Sequence, residues 1–407
     1  MKKDLLHLFP ALIALLIFVG FLLAGSQYAQ FMENKYVHGL APMLLPQSLV
    51  GSALQQAALR QPDLLPVYGS SELIRENTPF RAFSFFNTYP SGFTVFEVAR
   101  SAATSLSMAE ELAALGPELR GKKVVISFTP AMFNAGEVSL PAYEENYSQL
   151  HGDALIFNPY LSFAVKQQVA QRMLDYPKTL SNDPILQFAV MNLSSTSVLQ
   201  QTLYYLAFPL GQLETLIIRL QDHWQVLNII WSKPNLRAKV IKRPVTIQWN
   251  SLIAEARAEQ ALKTNNNPYG FENSSWIVVR KTSKEENIAP PGSKDAQFIK
   301  NLDKSKEWTD LEILLEILRE TGAQPLILSR PIDGTIWNAR GVSQNAREIY
   351  YDRLQNIVVD TYGMPLVDFK NHDGDRYFSN DSLSHTSRLG WVYVDQTLDA
   401  FFHGNLQ

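Results

Sequence analysis

The strongest constraint on the fold is a series of short apolar runs separated by segments with helical spacing. Residues 64–68, the run Ala82-Phe83-Ser84-Phe85-Phe86, the run Val124-Val125-Ile126-Ser127-Phe128, the run Pro325-Leu326-Ile327-Leu328 and the run Pro365-Leu366-Val367-Asp368-Phe369 all have strand length. Val124 to Phe128 is the clearest, because an uninterrupted β-branched run suits a strand buried on both faces. Residues 96–115, 308–321, 345–361 and 391–402 carry helix formers with apolar positions three and four apart. Thr309 or Asp310 is the expected N-cap of the second of these helices and Gly322 its C-cap. Strands alternating with helices predict an α/β fold, a parallel sheet with helices on both faces. Residues 140–260 read as mostly helical, including 163–173 and 209–231, so a helical insertion is expected at about 150–300. Residues 265–275 are rich in Asn, Gly and Ser, and residues 282–294 carry mixed charge and Pro290-Pro291-Gly292; both read as exposed loops or a hinge in the insertion.

The N-terminus sets a second constraint. Lys2 and Lys3 precede an apolar run that spans twenty residues from Leu5 to Ala24. That length crosses a hydrocarbon core of about 30 Å as one transmembrane helix. The flanking lysines favour a cytoplasmic N-terminus, which puts the remainder outside the cytoplasm. The rival reading is a cleaved signal peptide, with Ala24-Gly25-Ser26 as its small-residue site. The run is longer than the apolar region of about 7–15 residues found in such peptides. The expected organisation is an anchor at 1–25, a juxtamembrane stalk and helix at 26–63, and an α/β domain at 64–407. Residues 204–231 are apolar in parts, but Glu214, Arg219, Asp222 and His223 interrupt them. They read as a buried amphipathic helix, with docking onto a membrane partner as the alternative. A net charge of −3 gives no electrostatic case for nucleic acid, and the absence of cysteine excludes disulfides, thiolate metal sites and cysteine nucleophiles.

Two motifs from opposite ends of the chain carry the candidate chemistry. Gly69-Ser70-Ser71-Glu72-Leu73 follows the first strand directly, and Asp381-Ser382-Leu383-Ser384-His385 follows the last. Ligands of parallel sheets bind outside the carboxyl ends of the strands, so both motifs, with Thr129-Pro130 after the third run, should converge on one edge. A serine hydroxyl needs a base to become a nucleophile, an imidazole supplies it, and a carboxylate fixes the imidazole. Each motif alone also fits a plainer role: an ordinary turn, a helix cap, a solvated histidine. Glu72 fits a cap of the following helix. His372-Asp373-Gly374-Asp375 has too few ligands at usable spacing for a metal loop and reads as a surface turn. No cofactor or metal is indicated.

The ordered segments resemble the DltD family of teichoic-acid D-alanylation. The segments that carry the resemblance are the N-terminal apolar run, Gly69 to Leu73, Thr129-Pro130-Ala131-Met132-Phe133, Tyr143 to Ser148, residues 308–328, and Trp337 with Gly341. Tyr377-Phe378, Asp381, His385 and Gly390-Trp391 complete it. The resemblance implies an SGNH-hydrolase-like (flavodoxin-like) fold. It implies Ser71 as nucleophile, with Ser70 as the alternative, His385 as base and Asp381 as its orienting carboxylate. One residue is inserted between Asp381 and His385 relative to the family's Asp-x-x-His. The glycines of the second family block are absent from Val98 to Ser105, and Ala131-Met132 replace the Gln-Trp of the third.

What the resemblance implies about function is transfer of D-alanine onto lipoteichoic acid or a related envelope polymer at a membrane-anchored, extracytoplasmic site. Its implied partners are a membrane-bound O-acyltransferase of the DltB type, the DltC carrier protein across the membrane, and a small membrane peptide as acyl relay. The alternatives are an SGNH-type esterase of an envelope glycan and a non-catalytic scaffold for the acyltransferase.

Overall fold

The computed structural model describes residues 8–74, 79–134, 140–239, 242–270, 272–274, 276, 289–380 and 385–406. Its centre is a five-stranded parallel sheet. The strands are β1 (Leu64–Gly69), β2 (Thr94–Ala99), β3 (Lys123–Phe128), β4 (Gln324–Ser329) and β5 (Leu366–Val367), in the order β2-β1-β3-β4-β5. The chain leaves β1 toward one edge to make β2 and then returns past β1 to make β3. The order therefore reverses between β1 and β3, where parallel sheets open a crevice at their carboxyl ends.

Strand alternation divides the apolar side chains between two cores. Tyr68, Phe96, Val98, Val124, Ile126, Phe128 and Ile327 face one side. Helices Ala53–Arg60, Ser105–Leu115, Glu307–Thr321 and Gln344–Gln355 supply residues to that core. Leu65, Val67, Val95, Val125, Leu326 and Leu328 face the other side, where helices Ala82–Thr88, Trp249–Lys263 and Arg388–His403 contribute.

Two sequence expectations change here. The run at 82–86 is a helix, because Ala82, Phe85 and Phe86 bury at helical spacing and Phe85 stacks on Trp249. The second strand is Thr94–Ala99, taken from the start of the helix expected at 96–115. Its residues 94–99 pair in register with 64–69 of β1, and the helix begins only at Ser105, where Thr104 and Ser107 form a reciprocal cap. Tertiary pairing has overridden local spacing.

The insertion between β3 and β4 is helical. Helix Val198–Ser232 starts eleven residues before Pro209, which was the expected start, and holds that proline inside. The helix packs closely on the insertion: a Cβ on Gly211 would lie 2.2 Å from the Phe157 ring, and Tyr204 Oη donates to the Ile156 carbonyl at 2.8 Å. The helix expected at 308–321 runs from Glu307 to Thr321 and ends at left-handed Gly322 (φ 72°). Thr309 and Asp310 therefore lie in its first turn rather than at its cap. Asp310 turns inward, and Arg172 of helix Phe163–Met173 grips it through Nε (2.6 Å) and Nη2 (2.9 Å). This buried fork ties the insertion to the sheet layer.

One unbroken helix, Leu8–Leu40, opens the described chain. Its first part exposes Phe9, Leu16, Ile17, Phe18, Phe21 and Leu23, and it is long and apolar enough to be a candidate membrane span. Its last turns bury Ala29, Glu33, Val37 and Leu40, and His223 Nδ1 meets Glu33 Oε1 at 2.7 Å. The helix thus passes from an exposed apolar rod into the body of the protein. Most of the loop expected at 282–294 falls outside the described residues.

Removing one partner of a buried ion pair strands the other charge. Arg172→Ala is expected to lower unfolding stability by about 3–5 kcal/mol in urea. The double replacement Arg172→Met with Asp310→Leu should recover most of that. Equal losses in the single and double variants would show that packing, not the charge, holds the insertion.

Candidate active site

The turn after β1 is built by a side chain that folds back. Glu72 is almost fully buried, and its Oε1 accepts the Ser70 N–H at 2.8 Å. A Cβ on Gly69 would lie 2.5 Å from that Oε1 and 2.6 Å from Leu73 Cδ1, so only glycine admits the fold-back. Glu72 therefore points into the protein and braces the turn from beneath, rather than serving as an exposed cap. Ser70 is buried. Ser71 opens helix Ser71–Ile74 and keeps its hydroxyl at the sheet edge.

The hydroxyl meets its counterpart from the far end of the chain. Ser71 Oγ and His385 Nε2 stand 3.1 Å apart across 314 residues of sequence. That is hydrogen-bond reach for removal of the hydroxyl proton. His385 is buried (3% exposed), and Asn380 N–H donates to its carbonyl at 2.7 Å. An antiparallel bridge between Ser379 and Thr386 closes the loop, and Asn380 Nδ2 donates to the Thr386 carbonyl at 3.2 Å. Ser387 then caps helix Arg388–His403. Of the four expected site residues, the fold brings Ser71 and His385 into contact. Ser70 lies beside them with its amide committed to Glu72. Asp381 lies outside the described residues, as do 382–384.

The segment before His385 is held by ion pairs that the sequence reading treated as a surface turn. Asp373 is buried and accepts Arg347 Nε at 3.0 and 3.1 Å and Tyr351 Oη at 3.2 Å. Asp375 pairs with Arg257 and accepts the Tyr377 N–H at 3.2 Å. Although burial opposes ionisation of Asp375, the hydrogen bonds from His372 and Arg257 hold its carboxyl well below the usual range. Arg376 donates to the carbonyls of Thr264 (3.3 Å) and Asn267 (3.1 Å). The turn is thus tied to helices Gln344–Gln355 and Trp249–Lys263 by ion pairs rather than lying free on the surface.

Beneath the serine lies a buried arrangement of charge that sequence reasoning missed. Arg330 follows β4 directly, is 1% exposed, and lies over the Trp391 ring at 5.0 Å. Burial raises the carboxyls of Glu72 and Asp395, and the charge of Arg330 opposes both shifts. Its signal in the sequence is Ser329-Arg330-Pro331, a lone cation at the carboxyl end of an apolar strand. On the other flank, Arg100 follows β2 and stands by Glu111, whose carboxyl burial raises to about 7 against the pull of Arg100 and a 2.8 Å bond from Gln55 Nε2. Gly69, Val98, Arg100, Glu111 and Asn146 line a small crevice there.

Without Arg330 the two buried carboxylates lose a charge that favours their ionised forms. Their folded-state pKa would rise further above the unfolded value, so the folded state would bind more protons and stability would fall as pH rises above about 4. Arg330→Met is therefore expected to lose more urea stability at pH 8 than at pH 5. An equal loss at both would show that the arginine acts only through packing on Trp391.

With the fold and the site in view, the chain can be set beside known proteins. A sequence model of the DltD family, described as DltD protein, matches residues 41–403. The chain is 28% identical over 395 residues to Protein DltD of Bacillus subtilis (strain 168), covering 97% of this chain and 96% of that protein. It is 25% identical over 399 residues to Protein DltD of Staphylococcus aureus (strain NCTC 8325 / PS 47), covering 98% and 96%. A match over nearly the whole length, by a chain whose ends meet at one site, places it in a family rather than near a shared motif: this chain belongs to the DltD family.

Proposed function

We propose that this chain is a membrane-anchored acyl-transfer protein that moves D-alanine onto a teichoic-acid-like polymer outside the cytoplasm. The observation that carries the reading is the 3.1 Å approach of Ser71 Oγ to His385 Nε2 at the carboxyl edge of the sheet. Family membership supplies the substrate class, and the exposed apolar face of helix Leu8–Leu40 supports the anchor. Lys2 and Lys3 favour a cytoplasmic N-terminus.

In the proposed chemistry Ser71 Oγ attacks the carbonyl carbon of an activated D-alanyl ester. His385 Nε2 takes the hydroxyl proton and returns it to the departing group as the old ester bond breaks. A hydroxyl of the polymer then attacks the Ser71 ester, gives its proton to His385, and leaves with the acyl group while Ser71 regains its hydrogen. Asp381 is the proposed carboxylate that orients the imidazole. Each D-alanyl ester adds an ammonium group to an anionic polymer, so the envelope becomes less negative. A membrane-bound O-acyltransferase of the DltB type is the proposed partner on the donor side, with the DltC carrier protein acting across the membrane.

The test is polymer-bound D-alanine in cells that carry single variants at normal protein level. Ser71→Ala should reduce it to the level of cells lacking the protein, and Ser70→Ala should retain most of it. Unchanged ester in Ser71→Ala would make the chain a scaffold. Loss in Ser70→Ala alone would move the nucleophile by one position.

A further inference from the structure

Away from the serine site, the insertion gathers three carboxylates that three separate helices bring together. Asp153 lies on helix Gln149–Ile156, Asp183 caps helix Pro184–Leu193, and Glu214 lies on helix Val198–Ser232. One carboxylate oxygen from each lies within 4.8 Å of the others. Asp153 is fully buried (0% exposed), and neither of its oxygens receives a hydrogen bond. Glu214 Oε2 and Tyr147 Oη are also buried without a partner. The available donors go elsewhere: Asp183 Oδ1 accepts the Leu186 N–H at 2.8 Å. Gln149 Nε2 reaches Asp183 Oδ2 at 3.0 Å and Glu214 Oε1 at 3.4 Å. The cluster adjoins a cavity of about 320 Å³, whose walls include Tyr147, Gln149, Lys178 and Asp183, which gives a small ion a way in.

We propose that Asp153, Asp183 and Glu214 form a site for a hard divalent cation, with calcium the better match. The donors are all oxygens, which selects calcium or magnesium over softer metals. Carboxylates from three separate helices make an irregular set, and calcium tolerates irregular geometry where magnesium demands an octahedron. The competing state is a shared proton between Asp153 and Asp183. Asp153 is buried with no hydrogen-bond donor on either oxygen and stands beside two further carboxylates, so a proton or a cation must balance the cluster. A bound cation would fasten the insertion helices to one another.

The test uses the full chain in detergent, stripped with EDTA. Thermal midpoints are followed on titration with calcium chloride, magnesium chloride, and potassium chloride as the ionic-strength control, to about tenfold above the 10⁻⁴–10⁻³ M range of extracellular calcium modules. Calcium should give a saturable rise of several degrees, absent in Asp153→Asn and Glu214→Gln. Terbium luminescence excited through Tyr147 should appear in the parent chain and fall in Asp153→Asn. No saturable calcium shift, together with an Asp153→Asn chain more stable than the parent in EDTA, would assign the cluster to a shared proton and overturn the proposal.

Discussion

Arg330 is the interaction on which the site rests. It is a buried cation at the end of a central strand, covered by the Trp391 ring, with Glu72 and Asp395 within its field. Buried carboxylates are costly unless a charge or a set of donors compensates them. Glu72 shows why the cost is accepted, because its Oε1 holds the Ser70 amide and so sets the turn that lifts Ser71 to the sheet edge. One arginine thereby links the β1 turn, the end of β4 and the C-terminal helix. These are the elements that must keep a fixed relation if residues 314 apart in sequence are to meet.

The histidine side is held differently. The described residues from Lys370 to Asn380 form no long helix or strand, and neighbouring helices hold them. Arg347 on helix Gln344–Gln355 fixes Asp373, and Arg257 on helix Trp249–Lys263 fixes Asp375. Gln260 of the same helix donates to Asn380 Oδ1 at 3.3 Å, and Glu259 pairs with Arg388. Helix Trp249–Lys263 belongs to the insertion by sequence but packs against the C-terminal helix. The insertion is thus part of the support for His385 as well as a separate helical layer.

The sheet and the two ends of the site were legible in the sequence because burial on both faces writes continuous apolar runs. Val124 to Phe128 needed nothing else. Thr94–Ala99 was hidden because Glu97 sits inside it, buried and paired with Arg81, and that charge made the stretch resemble an amphipathic helix. Ala82 to Phe86 was misleading for the opposite reason, since three phenylalanines in five residues satisfy a strand as well as a helix until Trp249 and Tyr89 are seen against Phe85. Topology put Gly69-Ser70-Ser71 and His385 on one sheet edge, and the family resemblance paired them as nucleophile and base. Arg330 is marked only as a cation ending an apolar strand, and the Asp373 anchor is not marked at all, because its partners Arg347 and Tyr351 lie more than twenty residues away.

The central claim is that Ser71 is a nucleophile activated by His385. The most direct measurement is the site of covalent labelling when the full chain is treated with a fluorophosphonate and digested for mass spectrometry. A mono-phosphonylated peptide with the adduct on Ser71, formed in the parent chain and lost in His385→Ala, is the result this account predicts. An adduct on Ser70, or labelling of Ser71 that His385→Ala leaves unchanged, would contradict it.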